Sequence, residues 1–282
     1  HVDLSGLQDS KLALLGGVAA LRASMALVAA QARADQGGTA WPDYARFECY
    51  SCHHDLKSPG YQQWRQVRGY GRRLDGRVIP GQAGRPQLRL WPAPLTWLAL
   101  TQAGGDRDGL TAALRGLQEA IDAQVFGAPS DVEREARNLA AWADRFLARN
   151  DVETIGQDDL LGLLRALATL PPAAYPDYDS ARQIAWAIDV IDSERDPKPA
   201  GARGAAIRPI LNRLRQQLKL DPFEARDDWA RASRDLDPGE IPAAHQRFSD
   251  NELVRALISA AEYDPTLFRS NLGRLLQALP DR

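Results

Sequence analysis

Apolar residues recur at helical spacing along most of the chain. Between Leu12 and Ala32 they return every three or four positions, and Gly37-Gly38 follows, which predicts a helix over residues 7–36. After Pro94 the pattern predicts helices over residues 95–103, 109–126, 130–149, 158–170, 179–193, 208–218, 222–233, 251–262 and 265–279. No stretch shows a convincing strand pattern, so the sequence predicts an all-α fold.

One stretch departs from the helical pattern. Residues 57–95 carry eight basic side chains against one acidic side chain, with repeated glycine and proline. This composition predicts a long basic loop, and long loops inside a compact domain are usually functional. We expect residues 1–95 to form a first unit that ends with this loop, and residues 96–282 to form an α-helical bundle.

The composition narrows the class of protein. The chain has 282 residues, 44% of them hydrophobic, and a formal net charge of −2, so it can fill a core and is not a nucleic-acid-binding polycation. The apolar run from Leu12 to Ala32 is interrupted by glycine, arginine and serine, and we therefore expect no membrane span. Because the chain opens with His1 rather than methionine, we expect either a removed targeting segment or a piece of a longer protein.

The chemistry is concentrated in the chain's only two cysteines. Cys49 and Cys52 are spaced CxxC, and His53 follows at once. This is the attachment pattern of c-type haem, in which two thiols form thioethers to the vinyl groups of one porphyrin. The pattern predicts one covalently attached haem c, with His53 as the proximal ligand of the iron.

Other readings of the two cysteines remain open. A thioredoxin-type pair uses the same spacing where a strand opens into a helix, and no strand-rich pattern precedes Cys49. A zinc site would have to combine Cys49 and Cys52 with His54 and the remote His245, without knuckle spacing. A plain structural disulfide is the third alternative.

Several further residues are candidates for the haem site. His54 lies about 100° around a helix from His53 and cannot reach the same iron; it would ligate a second haem, bind a propionate, or be a surface histidine. His245 and His1 are candidate distal ligands, and Met25, the sole methionine, is either a distal ligand or core filling. Arg85, with the other arginines of the basic loop, either neutralises haem propionates and docks an acidic redox partner or belongs to a solvated connection.

The sequence also resembles a known family. The stretch from Tyr44 to Leu56, then Trp64-Arg65-Gln66, Gly84-Arg85-Pro86 and Trp91-Pro92, resembles the C-terminal haem region of bacterial multihaem c-type cytochromes. The group is related to the tetrahaem cytochrome that accepts electrons from hydroxylamine oxidoreductase. The resemblance implies a secreted, periplasmic or extracellular electron-transfer protein, in which further haems come from other segments or chains. This chain departs from that family in having a single haem motif.

From the motif and the resemblance together, the expected function is that of a c-type cytochrome in a larger multihaem protein or assembly. Its partners would be a redox protein and other haem-bearing chains. Two alternatives stand beside it. The first is a haem with an open distal position that binds a small ligand or acts as a redox enzyme. The second is a structural assembly subunit in which haem anchors the fold.

Overall fold

In a computed structural model, the protein is built from α-helices. The structure describes residues 9–34, 41–47, 72–74, 77–79, 86, 88–149, 155–171, 174–175, 177–196, 202–218 and 263–280. Within these residues the helices are α1 (Asp9–Ala34), α2 (Ala93–Gln102), α3 (Arg107–Asp122), α4 (Pro129–Arg149), α5 (Gln157–Ala168), α6 (Tyr178–Arg195), α7 (Ala202–Gln217) and α8 (Pro265–Ala278). The predicted all-α class is confirmed.

Local sequence accounts for where several helices begin. At the start of α8 the carboxylate of Asp264 accepts a hydrogen bond from the Thr266 N–H at 2.8 Å, and Pro265 occupies the first turn. At the start of α6 the Asp177 carboxylate accepts from the Ser180 N–H at 2.8 Å. The start of the helix predicted over residues 265–279 is therefore confirmed.

Helix α1 lies at the centre of the described helices and packs against α4, α2 and α6. Its inward stripe is almost completely buried and consists of Leu14, Val18, Leu21, Met25, Val28 and Ala32. By length and composition alone, residues 9–33 would also suffice to cross a membrane, although 44% of the window is buried within the fold. A core helix passes the same test, and the absence of a membrane span stays a prediction.

Helices α1 and α2 approach each other closely at Gly17. A Cβ atom added there would lie 2.5 Å from the Leu95 Cβ, whereas one added at Gly16 would meet nothing within 4 Å. The Thr96 hydroxyl also donates a hydrogen bond to the Gly17 carbonyl oxygen, at 3.2 Å. Glycine at position 17 thus allows two backbones to come together that a side chain would hold apart.

The C-terminal helices form a second group, in which α5 packs on α6, and α8 packs on α7 and α5. Buried tyrosines tie this group together. The Tyr178 hydroxyl donates to the Leu218 carbonyl at 2.6 Å, and the Tyr263 hydroxyl donates to the Tyr175 carbonyl at 2.9 Å. One cluster of buried hydrophobic residues runs through both groups. Helix α1 and the helices after it share this core. The expected division of the chain into residues 1–95 and 96–282 stays a prediction.

The basic stretch contains a short hairpin that the sequence analysis missed. Strand β1 (Arg72–Leu74) pairs antiparallel with β2 (Arg77–Ile79), with Arg72 opposite Ile79. Two residues, Asp75-Gly76, separate the strands in sequence, and this dipeptide strongly favours a hairpin turn. The expectation that no strand occurs is wrong at this position.

One helix begins earlier than expected. Helix α7 begins at Ala202, six residues before the helix predicted over residues 208–218, and it contains Pro209 within the helix. Its alanine-rich start favours helix strongly enough to extend the element ahead of the proline. The helices predicted over residues 222–233 and 251–262 lie outside the described residues.

Candidate functional site

The described chain reaches the CxxCH stretch through a short, well-anchored segment. The Asp43 carboxylate accepts a hydrogen bond from the Ala45 N–H at 3.1 Å and starts a single 3-10 turn, Tyr44–Arg46. Phe47 then adopts an extended conformation and forms an antiparallel bridge with Leu88. Within the described residues the helical part of this segment is thus one 3-10 turn, which ends before Phe47.

This anchoring restricts where the cysteines can be. The Arg89 N–H donates to the Arg46 carbonyl oxygen at 2.7 Å, next to the bridge between Phe47 and Leu88. Cys49 follows Phe47 by two residues, so chain connectivity alone keeps its Cα within about 7 Å of the Phe47 Cα. The folded core thereby fixes the point from which the motif departs.

Four rings form an aromatic cluster at this point: Trp41, Tyr44, Phe47 and Phe126. The Phe47 ring packs edge to face against Trp41 and Phe126, with centroids 5.6 and 5.0 Å apart. Tyr44 packs on Phe126 from the outside, with centroids 5.3 Å apart, and its side chain is largely exposed. The cluster joins the segment before the motif to the turn after α3.

Phe126 has a backbone conformation that suits this role. Its φ of +67° lies in the left-handed region, which is uncommon for a residue other than glycine. In this conformation its carbonyl oxygen accepts a hydrogen bond from the Trp41 indole N–H at 3.1 Å, while its ring contacts Phe47. Phe126 therefore binds the segment through both its backbone and its side chain.

Helix α1 holds the other side of the segment. The Gln31 side-chain amide donates to the Asp43 carboxylate at 2.7 Å. The same carboxylate lies 3.4 Å from the Arg46 Nε, which is buried and makes no hydrogen bond among the described residues. Asp43 thus links α1, the 3-10 turn and the arginine that lies three positions before Cys49.

A cleft of about 160 Å³ opens between these elements. Its walls come from α1, the 3-10 turn, the segment before α2 and the start of α6. They are Ser24, Met25, Val28, Ala45, Arg46, Leu88, Arg89, Trp91 and Asp179. Three of the four elements that form the cleft are thus distant from the motif in sequence.

Two arginines and one carboxylate set the electrostatics of the cleft. Arg89 lies 3.6 Å from Asp179 in a partly exposed ion pair. Desolvation raises the pKa of Asp179 above its usual range, the neighbouring Asp177 adds to this, and Arg89 and Arg182 oppose it. Each guanidinium group that lines the cleft thus lies beside a carboxylate, Arg46 beside Asp43 and Arg89 beside Asp179.

Most of the residues predicted for the haem site lie outside the described part of the chain. These are Cys49, Cys52, His53, His54, Arg85, His245 and His1. No group of three or more metal-binding side chains occurs among the described residues. The roles of these seven residues therefore stay predictions.

The structure adds residues that sequence reasoning did not select. Arg46 directly precedes Phe47 and the motif, and this adjacency was the available signal. Phe126 had no signal, because its contact with Trp41 spans 85 positions of sequence. Met25 was considered as a ligand or as core, and the structure places it both in the buried stripe and in the wall of the cleft.

Comparison with protein-family models, with curated proteins and with solved structures gave no match to the chain. The functional argument therefore depends on the motif and on the residues around it.

Proposed function

We propose that the protein is a c-type cytochrome that transfers single electrons. Cys49 and Cys52 would attach one haem covalently, and His53 would be its proximal ligand. The observation that carries this proposal is the CxxCH stretch, which holds the chain's only two cysteines at the spacing that haem attachment requires.

The described surroundings of the motif support the proposal. The cleft beside the entering segment combines apolar side chains with the guanidinium groups of Arg46 and Arg89. Of this lining, the guanidinium groups suit haem, since the porphyrin carries two carboxylates, and each of these groups lies beside a carboxylate of the chain. Arginine is suited to such carboxylates because its planar group offers paired N–H donors.

A bound haem supplies an iron that changes its oxidation state by one electron. The chain's own contribution is to hold it and to control its surroundings. The aromatic cluster would fix the start of the attachment segment and exclude water from its core side. Arg46 and Arg89 would favour the ionised propionates and, like any nearby positive charge, the reduced iron. Arg85 and His54 are further candidates for propionate contacts.

The setting of this function is part of the proposal. A periplasmic or extracellular location and a redox partner protein, with other haem-bearing chains, follow from the family that the motif region resembles. An acidic partner surface would complement the basic residues of the stretch over residues 57–95.

The experiment is expression of the full chain in a host that matures c-type cytochromes. Wild type should retain haem through denaturing electrophoresis and show the reduced α-band of a c-type haem. The double variant Cys49→Ser, Cys52→Ser should lose covalent haem completely. Ser51→Ala, which keeps the CxxCH spacing, is the matched control and should retain it.

Two results would count against the proposal. Haem that stays attached in the double serine variant would show that the cysteines are not the attachment points. A wild-type protein without covalent haem, matured alongside a cytochrome that acquires it, would favour one of the other cysteine chemistries.

A further inference from the structure

We propose that the outer surface of helices α7 and α8 docks on a membrane that carries anionic phospholipids. We call this surface the basic face, and its defining residues are Arg208, Arg213, Arg269 and Arg274. The proposal goes beyond the haem chemistry and does not depend on it, because none of these residues belongs to the CxxCH motif or lines the cleft.

The charges of α7 and α8 are all of one sign. The two helices together contain six arginines, and neither contains an aspartate or a glutamate. Helix α4, by contrast, contains four arginines and four acidic residues. Because the whole chain has a formal net charge of −2, the positive charge of α7 and α8 is a local property.

The two helices are neighbours in the fold. Helix α8 packs on α7, and the Gln217 side chain at the end of α7 donates a hydrogen bond to the Asp264 carbonyl at 3.1 Å. The Asn271 amide of α8 donates to the same glutamine at 3.0 Å. Their apolar sides are buried in the core, through Leu211, Leu214, Phe268, Leu272 and Leu275. The exposed sides of α7 and α8 therefore lie next to each other on the surface.

The four arginines of the basic face are exposed. None of them forms an ion pair with a carboxylate among the described residues. Arg215 of α7 differs from them, since it pairs with Asp189 of α6. Within the part of the chain that the structure describes, the basic face thus presents positive charge that no side chain neutralises.

Two exposed leucines of α8 accompany the arginines. Leu267 is 48% exposed and Leu276 is 39% exposed. Leu267 precedes Arg274 by seven residues, and Arg269 precedes Leu276 by seven, so each pair shares one side of the helix, two turns apart. The other exposed positions of α8 beyond its first turn are uncharged, namely Ser270, Gly273 and Gln277.

An anionic lipid surface matches this combination of groups. The guanidinium group binds phosphate through paired N–H donors, and the negative potential of an anionic membrane attracts basic residues. Exposed leucines add contact with the boundary between headgroups and acyl chains. A protein interface would typically centre on tryptophan or tyrosine, and α7 and α8 contain neither. These features favour lipid over an acidic protein as the partner.

The test is flotation of the full chain with vesicles, at the same haem content in every sample. Wild type should bind vesicles of phosphatidylcholine and phosphatidylglycerol in equal parts, and should not bind vesicles of phosphatidylcholine alone. Each arginine near an anionic surface contributes about fivefold in affinity, so the double variant Arg269→Gln, Arg274→Gln should bind about 25-fold more weakly. Salt at about 1 M should release the wild type, because it shortens the screening length to about 3 Å.

The matched control is the double variant Arg134→Gln, Arg137→Gln on α4. Both arginines are exposed, but Arg134 pairs with Asp131 and Glu135, and Arg137 pairs with Glu133. This variant loses the same two positive charges and should bind anionic vesicles nearly as tightly as wild type. Urea unfolding of both double variants establishes that each is folded before binding is compared.

Three results would overturn the proposal. The first is a wild type that does not bind the anionic vesicles. The second is an equal loss of binding in the two double variants, which would show a dependence on net charge and not on the basic face. The third is binding to soluble polyglutamate without binding to vesicles, which would indicate an acidic protein partner. None of these results bears on haem attachment, which denaturing gels test separately.

Discussion

Two adjacent glycines of α1 should respond to alanine in opposite directions. Gly16 faces open space, whereas a Cβ at Gly17 would collide with Leu95 of α2 at 2.5 Å and come within 3.3 Å of the Thr96 nitrogen. Both positions are interior to the same helix. The pair therefore separates the intrinsic helix preference of alanine from the close packing of α1 on α2.

The magnitudes follow from these contacts. At Gly16, alanine should stabilise the protein by about 1 kcal/mol through helix propensity alone. At Gly17 the same gain is opposed by overpacking, which costs about 1–3 kcal/mol. Displacement of α2 would also weaken the hydrogen bond from Thr96 to the Gly17 carbonyl, worth about 1 kcal/mol. We expect Gly17→Ala to be destabilised by about 1–3 kcal/mol, and the two variants to differ by about 2–4 kcal/mol.

Urea unfolding followed by far-UV circular dichroism measures both changes. The comparison should be made on the full chain with the same haem content in each variant, because bound haem would itself shift the midpoint. Equal stability of the two alanine variants would refute the close approach of α1 and α2. That approach matters for the candidate site, since α1 and the segment before α2 form two walls of the cleft.

Two further predictions test the surroundings of the motif. Phe47→Ala removes a buried ring that contacts Trp41 and Phe126, so the free energy of unfolding should fall by about 3–5 kcal/mol. Tyr44→Ala removes a largely exposed ring and should lower the free energy of unfolding by less than about 1 kcal/mol. Equal free energies of unfolding for the two variants in urea titrations would contradict the packing of the aromatic cluster. Partial desolvation raises the pKa of the half-exposed Asp179 above its usual value of 3.8. Between the unfolded-state and folded-state pKa values the folded protein binds more protons than the unfolded chain, so stability falls as pH rises through that interval. Asp179→Asn should remove this part of the pH dependence in urea titrations above and below pH 3.8, and parallel profiles for the two proteins would contradict it.

Local sequence patterns were enough to predict the helical class, and they contain the motif on which the proposed haem attachment depends. Helix positions depend on apolar spacing and on caps within a few residues, as at Asp264-Pro265, and these are local properties. The attachment pattern is local as well, since it needs only Cys49, Cys52 and His53 in order. Even the missed hairpin was marked by a local pattern, Asp75-Gly76.

The distant residues that surround the segment leading into the motif are brought there by tertiary packing. Trp41 meets Phe126 across 85 positions, and the cleft joins Met25 of α1 to Arg89 and Asp179. Such contacts depend on how complete helices pack, and no pattern within one element encodes them. The sequence left Met25 as either core or ligand, and the structure places it in the buried stripe of α1, where it also borders the cleft.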